Sequence, residues 1–205
     1  MNDRDRANRP SLALLLVAVT FAASPAVARQ EANDQEMAEM MRRAQRFTQP
    51  AERHRVLERF LGSWDTETRV VMGGARPEAE KGTAEGSWVM DGRWLEIRGL
   101  GSMLGMPLET LQVIGYDNFK MSFVTTFVSS MDTAMNHSEG DLTADEDVLI
   151  TYGTLDEYLT GEHDKMVKYV WRFTSPDRIV FEVHDLPIGE TDTKVVEVVY
   201  TRRKP

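Results

Sequence analysis

The sequence predicts an all-β protein: an antiparallel meander of about ten strands closed into a barrel, with an N-terminal helical cap. Three observations carry that prediction. From Trp64 onward, apolar residues recur with period two in short runs bounded by Gly, Asp, Asn and Pro. The runs follow one another through hairpin-type turns, with no helical pattern between them. A meander this long removes its two exposed edges by pairing the first strand with the last.

The chain opens with Arg4, Arg6 and Arg9, diluted by Asp3 and Asp5. An apolar run covers residues 12–23, and Ala26-Val27-Ala28 follows in the small-x-small pattern that signal peptidase reads. The run is shorter than the roughly 20 apolar residues a spanning helix needs. We therefore expect a signal peptide over residues 1–28, a helical segment over 29–62 and a barrel domain over 63–205. The expected location is periplasmic or secreted, with no stable membrane insertion after cleavage.

Met37, Met40, Met41, Ala44 and Phe47 recur at helical spacing and predict a polar helix over residues 31–49. Pro50 interrupts it. Because proline is tolerated in a first turn, Thr48-Gln49-Pro50 marks the start of a second helix. Val56, Leu57, Phe60 and Leu61 form its apolar stripe, and Gly62 ends it.

The first strand is predicted over residues 64–72, ending at Gly73-Gly74, and the second over 82–90. Asp91-Gly92 signals a two-residue hairpin, because both central positions of that turn favour positive φ. A third strand covers 93–100, and a Gly/Met loop follows over 101–106. Residues 107–116 turn at Asp117-Asn118 into a fifth strand over 119–130. Further strands fall at 135–142, 148–156, 165–174, 178–184 and 194–202.

The chain has 205 residues, no cysteine and a formal net charge of −9, so disulfides and thiol chemistry are excluded and stability must come from the core. The acidic balance argues against nucleic acid as a partner, since phosphate neutralisation needs surplus Lys and Arg. The sequence leaves the oligomeric state open.

The fifth strand is the most informative. Phe119, Met121, Phe123, Thr125, Phe127, Ser129 and Met131 share one parity. Rings separated by small hydroxyls suit a cavity wall, where the rings give contact area and the hydroxyls fix one polar end of a ligand. Alternation brings Trp88, Tyr152, Tyr169, Trp171 and Phe173 to the interior as well. From this set Phe123, Thr125, Phe127 and Ser129, with Trp88, Tyr169 and Trp171, form the candidate ligand-binding site.

The four histidines, His54, His137, His163 and His184, form no close-spaced cluster, so no metal or cofactor is expected. The 12 methionines make no copper-type repeat. Ser129-Ser130-Met131-Asp132 supplies a hydroxyl and a carboxylate, but no Gly-x-Ser-x-Gly elbow surrounds it. Glu96, Glu139 and Glu182 could pair as acid and base, but alternation places such pairs readily on an outer face. No catalytic residue is assigned.

Gly62-Ser63-Trp64, where a helix runs into the first strand, resembles the Gly-x-Trp of lipocalin-like barrels. That resemblance implies a structural pair, Trp64 with a late Arg, Arg202 or Arg203, over its ring. Residues 105–140, Lys81-Gly82-Thr83-Ala84, Trp88-Val89-Met90-Asp91-Gly92-Arg93 and residues 196–202 resemble the bacterial family called domain of unknown function 1579. The resemblance implies a lipocalin-like barrel with an N-terminal helical cap and no particular activity. The chain departs from that family in carrying Phe127 where a Trp is frequent and Ser129 where an acidic group is frequent.

The expected function is binding of a small apolar molecule in a barrel cavity by an exported protein. Two alternatives stand beside it: a barrel hydrolase or isomerase acting on such a molecule, and an interaction protein with a filled barrel.

Overall fold

The computed structural model describes residues 25–71, 78–157, 160–186 and 193–204. The Gly73-Gly74 turn and all but the last four residues of the expected signal peptide lie outside the described residues. Two compact units divide at Arg43 and Ala44. The first contains most of helix α1 (Pro25–Thr48). This helix begins earlier than its apolar spacing suggests and takes in Ala26-Val27-Ala28. It is polar, with Met37, Met40 and Met41 exposed. Among the described residues no helix is long and apolar enough to cross a membrane.

The second unit opens with a 3-10 helix (Glu52–Phe60). The strands follow: β1 (Gly62–Val70), β2 (Glu80–Val89), β3 (Trp94–Met103), β4 (Met106–Asp117) and β5 (Ser122–Ser129). Then come β6 (Asn136–Leu142), β7 (Val148–Glu157), β8 (Glu162–Ser175), β9 (Arg178–Asp185) and β10 (Lys194–Arg202). Each is antiparallel to the next, and β10 returns to pair with β1, closing the barrel.

One end of the barrel is filled. Leu57 and Phe60 of the 3-10 helix enter it and meet Trp64, Leu95, Ile114, Phe123, Leu149 and Trp171 in one buried cluster. The Phe60 ring stands edge-on to Trp171 at 5.0 Å and to Phe173 at 5.2 Å. The helix backbone passes so close to β2 that a Cβ on Gly86 would lie 2.1 Å from the Phe60 carbonyl oxygen. Gly62, with φ +96°, makes the sharp exit into β1.

Trp64 sits on the seam where the barrel closes. It is 2% exposed, and its Cα partner on β10 is Arg202. The Trp64 Nε1–H donates to the Phe60 carbonyl at 2.9 Å. The Arg202 guanidinium lies 4.1 Å from the centroid of the Trp64 ring. It also donates to the carbonyls of Arg59, Leu61 and Pro176. One side chain thus covers the indole and satisfies carbonyls left free at the end of the 3-10 helix.

Several boundaries differ from the sequence expectation, each for a local reason. The second helix starts at Glu52, not at Thr48-Gln49-Pro50, because Ala51 is its N-cap. The Ala51 N–H donates to His54 Nδ1 at 3.0 Å and the His54 N–H returns to the Ala51 carbonyl at 3.0 Å. The β2–β3 connection is a four-residue loop rather than a two-residue hairpin at Asp91-Gly92. Met90, Asp91 and Gly92 all have positive φ, and Arg93 ties the loop to the Thr48 carbonyl at 3.0 Å. The expected Gly/Met loop is mostly strand: Met103 pairs with Met106 across a tight Leu104-Gly105 turn with both φ positive.

Strand β5 begins at Ser122, so Phe119 and Met121 do not share its inward face. The Asp117 carboxylate accepts the N–H groups of Phe119 and Lys120, at 2.8 and 3.0 Å, and folds the chain into a turn. Both side chains end up exposed. Tyr152 is exposed as well, because its neighbours Thr151 and Leu149 take the inward parity of β7.

The closing pair is testable. Trp64→Ala should cost about 3–5 kcal/mol in a denaturant titration, as large aromatic truncations in cores do. A loss below about 1 kcal/mol would show that the seam does not depend on the indole.

Candidate functional site

Beyond the filled end, the barrel interior is hollow. A cavity of about 550 Å³ runs from the middle of the barrel to its open end. Its walls differ in chemistry. Strands β4 to β6 contribute Thr110, Gln112, Thr125, Ser129, Asn136 and Ser138. The facing wall, from β9 and β10, is Phe181, Val183, Val196, Val198 and Tyr200. The space exists because small residues, Gly99, Gly101 and a set of threonines, occupy inward positions that larger side chains would fill.

The polar wall carries a hydroxyl chain. Thr125 Oγ1 and Ser138 Oγ are hydrogen-bonded at 2.8 Å, and Ser138 Oγ and Thr151 Oγ1 at 2.9 Å. These groups satisfy one another, which is how buried hydroxyls avoid the cost of desolvation. Two tyrosines across the cavity are different. Burial pushes the Tyr169 hydroxyl up to about 12, and burial also pushes Tyr200 upward.

The open end carries charge. The Lys165 ammonium lies 2.8 Å from Asp185, 2.9 Å from Glu157 and 3.4 Å from Glu162. The hydrogen bond to Asp185, with Glu157 beside it, holds this lysine above its ordinary value despite burial. Asp132 and Asp156 lie on the same rim. Among the described residues, negative charge therefore outweighs positive at the mouth.

The structure brings Thr125, Phe127, Ser129 and Tyr169 to the cavity wall. It does not bring the other three candidates there. Phe123 and Trp171 point inward but belong to the packed cluster at the closed end. Alternation gives parity and not depth, and these two lie nearer the 3-10 helix. Trp88 packs against that cluster and borders a separate surface hollow with His54, Asp91 and Gly92. Sequence reasoning missed Gln112, Asn136, Ser138 and Tyr200. Parity could have found Gln112, because it alternates with Ile114 on β4.

The histidines are dispersed. His54 is buried, its Nδ1 accepts from Ala51, and burial lowers its pKa. His137 contacts Thr126 on the outer face, His163 is exposed, and His184 approaches Glu182 at 3.4 Å. Among the described residues no three His, Asp or Glu side chains converge as metal ligands do. Glu96, Glu139 and Glu182 each pair with Arg or Lys outside the barrel, with Arg98, Lys120 and Arg172 respectively.

Residues 49–202 match the family described as "Protein of unknown function (DUF1579)". The chain belongs to the DUF1579 family. None of the curated proteins matches it in sequence. Among solved structures, this DUF1579 barrel is similar to Rv2717c from M. tuberculosis, with a TM-score of 0.56 at 12% identity. That similarity covers 76% of this chain and 100% of the other, and it shows a shared fold. The S-type phycobiliprotein lyase CPES from Guillardia theta gives a TM-score of 0.49 at 12% identity, covering 74% of this chain and 93% of that one. A redesigned β-barrel gives 0.39 at 12% identity, covering 73% and 96%.

The DUF1579 cavity makes a pH prediction. Tyr169 ionises near 10 in an unfolded chain but is held at about 12 in the fold. Between those values the unfolded state has lost a proton that the native state keeps, so stability falls as pH rises. Denaturant titrations should show a decline above about pH 10 that Tyr169→Phe makes shallower. An identical decline in wild type and variant would mean that the hydroxyl is solvated.

Proposed function

We propose that this exported barrel binds a small, mainly apolar molecule in its interior. The observation that carries the reading is the two-sided cavity. About 550 Å³ of space lies between an apolar wall and a wall of hydroxyls and amides, within the size range of small-molecule pockets. A barrel built only to be a stable scaffold gains nothing from leaving that volume unfilled, since packing contacts are lost around it.

The test uses a neutral apolar dye, N-phenyl-1-naphthylamine, whose emission rises in an apolar site. Wild type should take it up saturably. Thr125→Trp places bulk where a buried hydroxyl stands, at a packing cost of about 1–3 kcal/mol, and should abolish uptake in a protein that remains folded. Absence of uptake by wild type, or equal uptake by both, would favour an interaction protein over a carrier.

Export is the second part of the proposal, supported by the basic start, the apolar run and Ala26-Val27-Ala28. N-terminal sequencing of protein recovered from the envelope or medium should begin at Arg29. Recovery from the cytoplasm with residues 12–23 still attached would end it.

A further inference from the structure

The cavity's polar groups narrow what it takes; this step rests on the binding reading above. Gln112 and Asn136 line the cavity and are 9% and 8% exposed. Neither side-chain amide is hydrogen-bonded to another group among the described residues. An amide offers two donors and an acceptor; among the described residues the one fully enclosed side-chain polar atom without a partner is Trp171 Nε1, so these amides open onto the cavity space. Their neighbours one layer deeper, Thr125 and Ser138, are already paired with each other. The two amides, with the Thr110 hydroxyl nearer the mouth, are therefore the open hydrogen-bonding valences of the polar wall.

Register puts them in a single row. Gln112 is opposite Phe127 across β4 and β5, and Phe127 is opposite Asn136 across β5 and β6. The amides flank the Phe127 ring, with backbones about 10 Å apart, twice the strand spacing. The concave wall tilts their tips toward each other. An aromatic platform with a hydrogen-bonding group on either side suits a flat ring system with polar edges. Phe181 and Val198 close over the opposite face.

Charge removes one large class. Lys165, at the mouth, is the one lysine or arginine among the described residues that line the cavity, and three carboxylates already surround it. Among the described residues, an acid such as a fatty acid meets a negative rim and one lysine already held by three carboxylates.

We propose that the cavity takes an uncharged, flat aromatic molecule of two or three rings, lying on Phe127 and hydrogen-bonded at its edges to Gln112 and Asn136.

The experiment displaces bound N-phenyl-1-naphthylamine from wild type, Gln112→Leu and Asn136→Leu. The competitors are 2,6-dihydroxynaphthalene, its isostere 2,6-dimethylnaphthalene, and 6-hydroxy-2-naphthoate. In either variant the ratio of diol to dimethyl affinity should fall about tenfold from wild type, the worth of one good hydrogen bond. Unchanged far-UV circular dichroism and an unchanged denaturant midpoint certify the fold of each variant. In wild type the naphthoate should displace at least about tenfold less well than the diol. An unchanged ratio in variants that still bind dye overturns the proposal and leaves the cavity a binding site. A naphthoate that competes as well as the diol overturns it too. Loss of dye binding in both leucine variants would mean that the amides hold the wall, and would also overturn it. No dye uptake by wild type ends the binding reading and this one with it.

Discussion

The stacking of Arg202 on Trp64 is the interaction on which the rest depends. A ten-strand meander has two free edges until its first and last strands meet. Here they meet with Trp64 directly opposite Arg202. The arginine spans three features at once: the indole face, the carbonyls at the end of the 3-10 helix, and the turn before β9 through Pro176. Its planar guanidinium can do this because it donates in several directions while stacking. With that end sealed, the helix drives Phe60 into the barrel and the interior opens toward the other end.

The interior then divides by residue size. At the closed end each strand supplies a large apolar side chain, such as Leu95, Ile114, Phe123 and Leu149, and the space is filled. Two or four residues further along β3, β4 and β5, the inward positions become Gly99, Gln112 and Thr125. Strand geometry is unchanged; only side-chain volume falls. Stability therefore resides in one half of the barrel and the candidate site in the other. Substitutions in the polar wall can change what the cavity accepts without touching the seam that holds the fold.

Much of this was legible in the sequence, and the illegible part has a physical cause. Period-two patterning marks strands because alternate side chains face opposite sides, and the order of turns gives a meander. A late arginine over Trp64 was implied by the resemblance of Gly62-Ser63-Trp64 to lipocalin-like barrels, which left Arg202 and Arg203 open; the register puts Arg202 there. Depth along the barrel was not. Phe123 and Phe127 look alike in sequence, yet one is core and the other is cavity wall, because depth depends on register across strands and on where the 3-10 helix enters. Turn geometry depends on side-chain capping that strand parity does not carry. The Asp117 side chain caps two backbone N–H groups and turns Phe119 outward, which no parity rule anticipates.

The functional groups of the interior are held in place by their neighbours. A lysine that acts as a nucleophile or base needs its pKa lowered toward neutrality. Lys165 is driven the other way by Asp185 and Glu157, so its ammonium bridges β7 and β9 at the mouth as a strut. The Ser129 hydroxyl touches Asp132 at 3.5 Å, but no imidazole stands between them to carry a proton: His137, the nearest in sequence, turns its ring to Thr126 on the outer face. Tyr169 and Tyr200 are pushed upward by burial and so remain neutral donors at physiological pH. A wall of neutral donors and acceptors facing an apolar wall can orient a ligand by its polar edges.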